Sequence, residues 1–218
     1  MMNMKRVSIL NELVENGVVA VVRGDSAATS LQTSQAIVEG GIKVLEITFT
    51  IPGAEKVITQ LNEQYAKQNI LIGAGTILDP VTARIAIMSG ASYIVSPTFN
   101  KETAKLCNLY HVPYLPGCMS INEIQEALTY GVDIIKMFPG NVYGPDFIKT
   151  VKGPLPHVNV MPSGGVDQHN IKDWINAGAV AVSVGSNLTK GAKNGDFQEV
   201  TELATAYQHV YMHAKGGE

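Results

Sequence analysis

Tyr130-Gly131-Val132-Asp133-Ile134-Ile135-Lys136-Met137-Phe138-Pro139 reads as the end of a helix, a glycine joint and a short buried strand. Upstream, Ser120 with Glu123 three residues later is a capping-box signature, so residues 120–128 read as the helix. Gly131 sits just past its end, where glycine accepts the left-handed turn that closes a helix. The same helix-to-strand joint recurs as Gly40-Gly41-Ile42, Ser89-Gly90-Ala91 and Ala177-Gly178-Ala179. One structural unit is therefore being repeated, and no proline- or serine-rich linker interrupts it.

Working outward from this unit, apolar runs of strand length fall at residues 18–22, 44–47, 70–72, 93–95, 112–115, 134–137, 158–161 and 180–184. They recur roughly every 20–25 residues, the length of one strand plus one helix. Their β-branched content without polar alternation is that of strands covered on both faces, as in a parallel sheet. Helix-period segments lie between them at residues 27–39, 53–67, 80–88 and 101–109. Asp79 before Pro80, and Asn100 before Lys101, supply N-caps. Eight strands alternating with eight helices predict an α/β protein, a single-domain (β/α)8 TIM barrel over residues 1–218, with a short N-terminal helix. A doubly wound open sheet is the alternative; strand count and even spacing favour the barrel.

Composition narrows the function. The formal net charge of −3 and the absence of a Lys/Arg run exclude an ordinary nucleic-acid binder. No apolar stretch approaches the ~18 residues of a membrane span. Glu12 and Glu15 break the apolar run near the N-terminus, so the expectation is a cytoplasmic protein without a signal peptide. The 16% charged content is low and leans toward a chain that buries surface in an oligomer. Cys107 and Cys118 lack metal or redox spacing; Cys107 reads as a core filler on a helix.

In a barrel of this kind the reactive groups belong at the C-terminal ends of the strands. Those ends carry Arg23, Glu46, Thr48, Thr50, Gly75, Thr76, Ser96, Pro97, Pro116, Gly117, Lys136, Ser163, Gly164, Gly165, Gly185 and Ser186. Lys136 lies among Ile134, Ile135, Met137 and Phe138. A buried ammonium without a partner tends to shed its proton, and a neutral amine on a rigid strand attacks carbonyls. A lysine that caps the strand and snorkels to water is the competing reading. Glu46, inside Val44-Leu45-Glu46-Ile47, is either a structural ion-pair partner of Arg23 or Lys136, or a general acid/base tuned by burial. The glycine loops after strands seven and eight, Ser163-Gly164-Gly165 and Gly185-Ser186, stand at the usual phosphate site of such barrels, helped by a following helix N-terminus. None of the five histidines, His111, His157, His169, His209 and His213, falls at a strand's C-terminal end. His209 and His213 have helical i, i+4 spacing but no third ligand, so no metal is expected. Carbonyl chemistry at this face would then use an amine.

With these residues in view, the chain resembles the 2-keto-3-deoxy-6-phosphogluconate (KDPG) aldolase family, which includes 4-hydroxy-2-oxoglutarate (KHG) aldolases. The marks are Val21-Val22-Arg23, Gly40-Gly41-Ile42-Lys43-Val44-Leu45-Glu46-Ile47-Thr48, Gly73-Ala74-Gly75-Thr76, Val95-Ser96-Pro97, Pro116-Gly117, Lys136-Met137-Phe138-Pro139 and Pro162-Ser163-Gly164-Gly165-Val166. The resemblance implies a metal-free class I aldolase, usually a homotrimer, with no cofactor beyond a covalent imine. Its substrate would be a small 2-keto-3-deoxy sugar acid phosphate. By position, Lys136 matches the Schiff-base lysine and Glu46 the general acid/base. Thr76 matches a contact to the pyruvate carboxylate, in a pyruvate-binding set completed by Arg23, Thr50, Pro97 and Phe138. Gly164, Gly165 and Ser186 match the phosphate loops, to which the strand-eight loop adds Gly185, with Ser163 where many members carry threonine. Some members place an arginine where this chain has Thr50; Arg23 is expected to take over part of that anion binding. The other readings are an aldolase for the galactonate epimer, a phosphate-binding barrel isomerase or epimerase, or a catalytically silent sugar-phosphate binder.

Overall fold

The computed structural model describes residues 4–216. Eight parallel strands alternate with helices. The strands are β1 Val18–Val22, β2 Val44–Thr48, β3 Leu71–Gly75, β4 Ile94–Ser96, β5 Tyr114–Cys118, β6 Ile135–Met137, β7 Val160–Pro162 and β8 Val182–Val184. The helices are α1 Lys5–Asn16, α2 Ala27–Glu39, α3 Ala54–Gln64, α4 Pro80–Met88, α5 Lys101–Leu109, α6 Ile121–Thr129, α7 Gly140–Tyr143, α8 Asp146–Lys152, α9 Ile171–Asn176 and α10 Phe197–Gly216. A 3-10 turn spans Lys190–Asn194.

Strand order is β7-β6-β5-β4-β3-β2-β1-β8. A parallel bridge between Ser163 and Ser183, and a bond from Val180 N–H to the Val160 carbonyl (3.0 Å), join the two ends. The sheet is thereby closed, as the strand count predicts, and the open doubly wound alternative is set aside. Strand boundaries differ from the sequence expectation in one systematic way. β3 begins at Leu71 and runs through Gly73-Ala74-Gly75, and β5 begins at Tyr114 and runs through Pro116-Gly117-Cys118. Glycine and proline end an apolar run in the sequence, but inside a barrel a small inward residue leaves room for a neighbour. A side chain at Gly73 would collide with the Tyr93 ring, and one at Gly75 with the Glu46 carboxylate.

The core has two layers. Leu45, Ile47, Ile72, Ile94, Ile135 and Val182 point outward beneath the helices. Val19, Val44, Leu71, Tyr93, Val95, Leu115, Ile134 and Met161 fill the barrel. Ile9 and Leu13 of α1 join this inner cluster, placing the N-terminal helix as its plug. The two-residue period of a strand then decides where the polar outliers go. Glu46 has the parity of Val44, and Lys136 that of Ile134, so both project into the barrel above those apolar side chains.

The repeated joint works as its glycines require. Gly41, Gly90, Gly131 and Gly178 have φ of 95°, 98°, 76° and 100°, a region that side chains with a Cβ resist. Ser120 and Glu123 make the full capping box, and Asp79 and Asn100 accept from the third residue of their helices. Cys107 is buried on α5. Among the described residues, no helix is long and apolar enough to cross a membrane.

Candidate active site

Lys136 and Glu46 meet inside the barrel near its C-terminal mouth. Lys136 is 5% exposed and Glu46 1%. The lysine Nζ donates to Glu46 Oε1 at 3.2 Å and lies 3.5 Å from Oε2. Of the ion-pair partners the sequence offers Glu46, the structure brings Lys136 and not Arg23. An ion pair this deep is held in place by its surroundings. Burying a single charge costs several kcal/mol, so each ion requires the other.

The neighbours fix the carboxylate. Gly75 leaves the space that Glu46 occupies, and Tyr93 sits beneath, its ring over Gly73 and its hydroxyl donating to the Leu45 carbonyl at 2.8 Å. Complete burial, and next the nearby Glu46 carboxylate, push the Tyr93 phenol well above its ordinary range. Tyr93 is thus a neutral donor that supports β2 from inside.

Phe138 links this pair to an anion-sized cavity. Its ring centroid is 5.5 Å from Lys136 Nζ, and the ring lines a cavity of about 300 Å³ together with Val21, Arg23, Ser163, Gly164, Gly165, Val166, Ser183, Gly185, Ser186 and Asn187. The five expected phosphate-loop residues therefore converge on one space. Gly164 and Gly165 have φ of 90° and 75°, a backbone conformation that residues with a Cβ resist. The loop is pinned by Asn170 Nδ2 to the Gly165 carbonyl (2.8 Å) and by Gly140 N–H to the Ser163 carbonyl (2.7 Å). It does not run straight into a helix as expected; α9 starts only at Ile171, after the Asp167–Asn170 turn. Ser163 Oγ donates to Ser183 Oγ at 3.2 Å across the closing bridge.

Arg23 also lines this cavity, and with Ser186 it borders an adjoining space of about 380 Å³ walled by Asp25, Thr29, Thr189 and Lys193. Among the described residues no carboxylate lies within ion-pair distance of Arg23. Thr50, Thr76 and Pro97 do not line the glycine-loop cavity; they stand at the ends of β2, β3 and β4. Thr50 Oγ1 lies 2.9 Å from Thr48 Oγ1, which bonds the Val22 carbonyl. Thr76 has a φ of 58°, unusual for a β-branched residue, and the Pro97 carbonyl packs where Gly117 has no side chain.

Two residues escaped the sequence reading. Asn187 lines the cavity, and the Asn141 Cβ lies against Gly165. Neither stands out by composition, because asparagine after a strand is an ordinary turn residue. Among the described residues no three His, Cys, Asp or Glu side chains converge.

A closed barrel that holds a buried amine against a carboxylate, with a glycine-lined cavity beside them, has the form of an enzyme site for carbonyl chemistry. Residues 9–203 match the family model for KDPG and KHG aldolase, and the chain belongs to this family of lyases. The 2-dehydro-3-deoxy-6-phosphogalactonate aldolase of Escherichia coli is 30% identical, over 90% of this chain and 95% of its own. The KDPG aldolase of Legionella pneumophila, with pyruvate captured at low pH as a covalent carbinolamine intermediate, superposes with a TM-score of 0.82 at 28% identity, covering 90% of this chain and 97% of that one. A chain of a cube-shaped protein cage designed by fusing symmetric oligomeric domains superposes with a TM-score of 0.85 at 29% identity, over 92% of this chain and 74% of that one.

Proposed function

We propose that this protein is a class I aldolase that cleaves 2-keto-3-deoxy-6-phosphogluconate to pyruvate and glyceraldehyde 3-phosphate, with Lys136 as nucleophile. The observation that carries the reading is the buried contact between Lys136 Nζ and Glu46 Oε1. An amine must be neutral to attack a ketone, and Glu46 stands where it can receive the proton. The amine adds to the C2 ketone, Glu46 gives its proton to the departing hydroxyl and is ionised again, and loss of water leaves a protonated imine, an electron sink at the atom next to the breaking bond. Glu46 takes the proton from the C4 hydroxyl. The C3–C4 bond breaks, its electrons pass into an enamine on Lys136, and C4 leaves as the aldehyde. Glu46 returns a proton to C3, and water hydrolyses the imine to pyruvate. No cofactor enters this scheme.

Thr76, Thr50, Pro97 and Phe138 would hold the pyruvate unit. Ser163, Gly164, Gly165, Gly185 and Ser186 would hold the phosphate, so that binding energy far from the reacting bond orients it. Arg23 stands beside that cavity and can serve either anion. The glycine cavity supports a phosphorylated substrate; the galactonate epimer, and KHG cleaved to pyruvate and glyoxylate, fit the same chemistry. An isomerase would need the cavity but not the paired lysine. We further infer a cytoplasmic homotrimer. The low charge content supports assembly, as does the relative built into a cage as a symmetric oligomeric domain.

Borohydride reduction in the presence of pyruvate tests the scheme. The expected result is an adduct mapped to Lys136, with activity unaffected by a strong chelator. No adduct, or one on another lysine, ends it.

A further inference from the structure

We propose that the space beyond Arg23 is a second anion subsite, which fits this barrel for 2-keto-3-deoxy acid phosphates longer than six carbons. The inference rests on the aldolase reading above and extends its substrate class. The spaces follow one another around the mouth of the barrel. Lys136 stands on β6, and the glycine cavity lies over the ends of β7 and β8. The adjoining space of about 380 Å³ comes next in the same direction, between the loop after β8 and the loop after β1. Arg23 and Ser186 line both, so the two spaces share a wall. A substrate chain that starts at Lys136 and crosses the glycine cavity reaches this second space with its far end.

Charge favours a phosphate there. The wall of the glycine cavity carries one cation, Arg23, whereas the adjoining wall carries two, Arg23 and Lys193. Among the described residues neither is in an ion pair; it is the nearby Lys190 that is held, by Glu199 at 2.8 Å. Two unpaired cations beside one space match a phosphate dianion, the guanidinium as a planar fork and the ammonium as a point charge. Lys193 sits on the 3-10 turn, whose Gly191 and Ala192 are buried, so its backbone is anchored. Thr29 adds a donor from the opposite wall. Its Oγ1 accepts from Ser26 Oγ at 3.0 Å, and a hydroxyl that accepts keeps its own proton to give. Asp25 is the one carboxylate in the wall. It repels a bare dianion and accepts from a sugar hydroxyl, so the set selects a phosphate carried on a polyhydroxy chain.

The test runs the reaction in the synthetic direction, the reverse of the cleavage, with pyruvate and either glyceraldehyde 3-phosphate or a four-carbon aldose 4-phosphate. The tetrose suits because its phosphorylated O4 cannot close a five-membered ring, so its aldehyde stays open. A site that ended at the glycine cavity would reject the extra carbon by about 10- to 200-fold. With the subsite, wild-type kcat/KM for the tetrose phosphate should stay within about tenfold of the triose value. Lys193→Met and Thr29→Val should each lower kcat/KM for the tetrose phosphate about tenfold, the worth of a hydrogen bond to a charged group, and leave the triose value within about twofold. A wild-type tetrose value below that range, with triose turnover intact, overturns the subsite and leaves the aldolase reading standing. So does either variant if it loses both aldehydes alike or neither. Turnover of neither aldehyde by wild type overturns both.

Discussion

Lys136 Nζ rests 3.2 Å from Glu46 Oε1, although 90 residues of sequence separate them and three strands stand between β6 and β2 in the sheet. The pair spans the barrel interior and closes the top of its apolar filling. Removing one member should therefore be felt by the whole fold. Lys136→Met leaves a buried carboxylate alone and should cost about 3–5 kcal/mol. Lys136→Met/Glu46→Gln should cost less than the single lysine change, because the stranded charge is gone. Urea unfolding of the three proteins checks this; additive losses would show that the two groups do not interact.

Glu46→Gln separates proton transfer from imine formation. It should lower kcat roughly 100- to 10,000-fold, the usual worth of a positioned acid/base. Slow borohydride trapping of pyruvate on Lys136 should persist. Full loss of trapping alongside turnover would mean that Glu46 acts mainly on the lysine rather than on the substrate.

Two glycines should respond in opposite ways. A Cβ at Gly75 falls on the Glu46 carboxylate, so Gly75→Ala should displace it, destabilise by about 1–3 kcal/mol and reduce kcat at least tenfold. Gly185 has open space, with Val21 Cβ at 3.6 Å as its nearest neighbour. Gly185→Ala should keep the melting temperature and raise KM for a phosphorylated substrate. Melting curves and steady-state kinetics on both variants settle the contrast.

Arg23→Leu should raise KM for pyruvate-containing substrates several-fold, since Arg23 is the cation at the rim of the glycine cavity. Comparing KDPG with the unphosphorylated KHG divides the effect. A rise for both places the guanidinium on the carboxylate, and a rise for KDPG alone places it on the phosphate. Unchanged KM for both would remove Arg23 from the site.

Asp79 caps α4, and its bonds from the Thr82 hydroxyl and the Thr82 N–H hold its carboxyl below the ordinary 3.8. A lowered folded value means that the fold favours the ionised form. The stabilisation is complete above the unfolded value near pH 4 and fades as pH falls through the lower folded value. Asp79→Ala should cost about 1 kcal/mol at pH 7, and the difference from wild type should shrink below pH 4. Thermal melts across pH 2–7 measure it.

The periodic text of this chain determined its barrel. Apolar runs separated by capped helices and glycine joints state a local preference at every repeat, and such preferences need no partner to be legible. The same logic placed Lys136, Glu46 and the two glycine loops at one face, because strand ends are known once strands are. Strand limits were less legible. In β3 and β5 the glycines serve Tyr93, Glu46 and the Pro97 carbonyl, which are distant in sequence. The facing of α4 was also hidden, since its apolar residues lie on several sides and only packing shows that Ala83 and Ala86 face inward while Val81, Ile85 and Met88 are exposed.

What tertiary structure alone decided is partnership. Sequence offered Glu46 two cations, and closure of the barrel brought Lys136 to it while leaving Arg23 at the glycine cavity. Parity along a strand is a one-dimensional property and can be read from the chain. Which side chains meet across the barrel depends on strand order, stagger and the space left by small residues on other strands. Those quantities exist only once the sheet has closed.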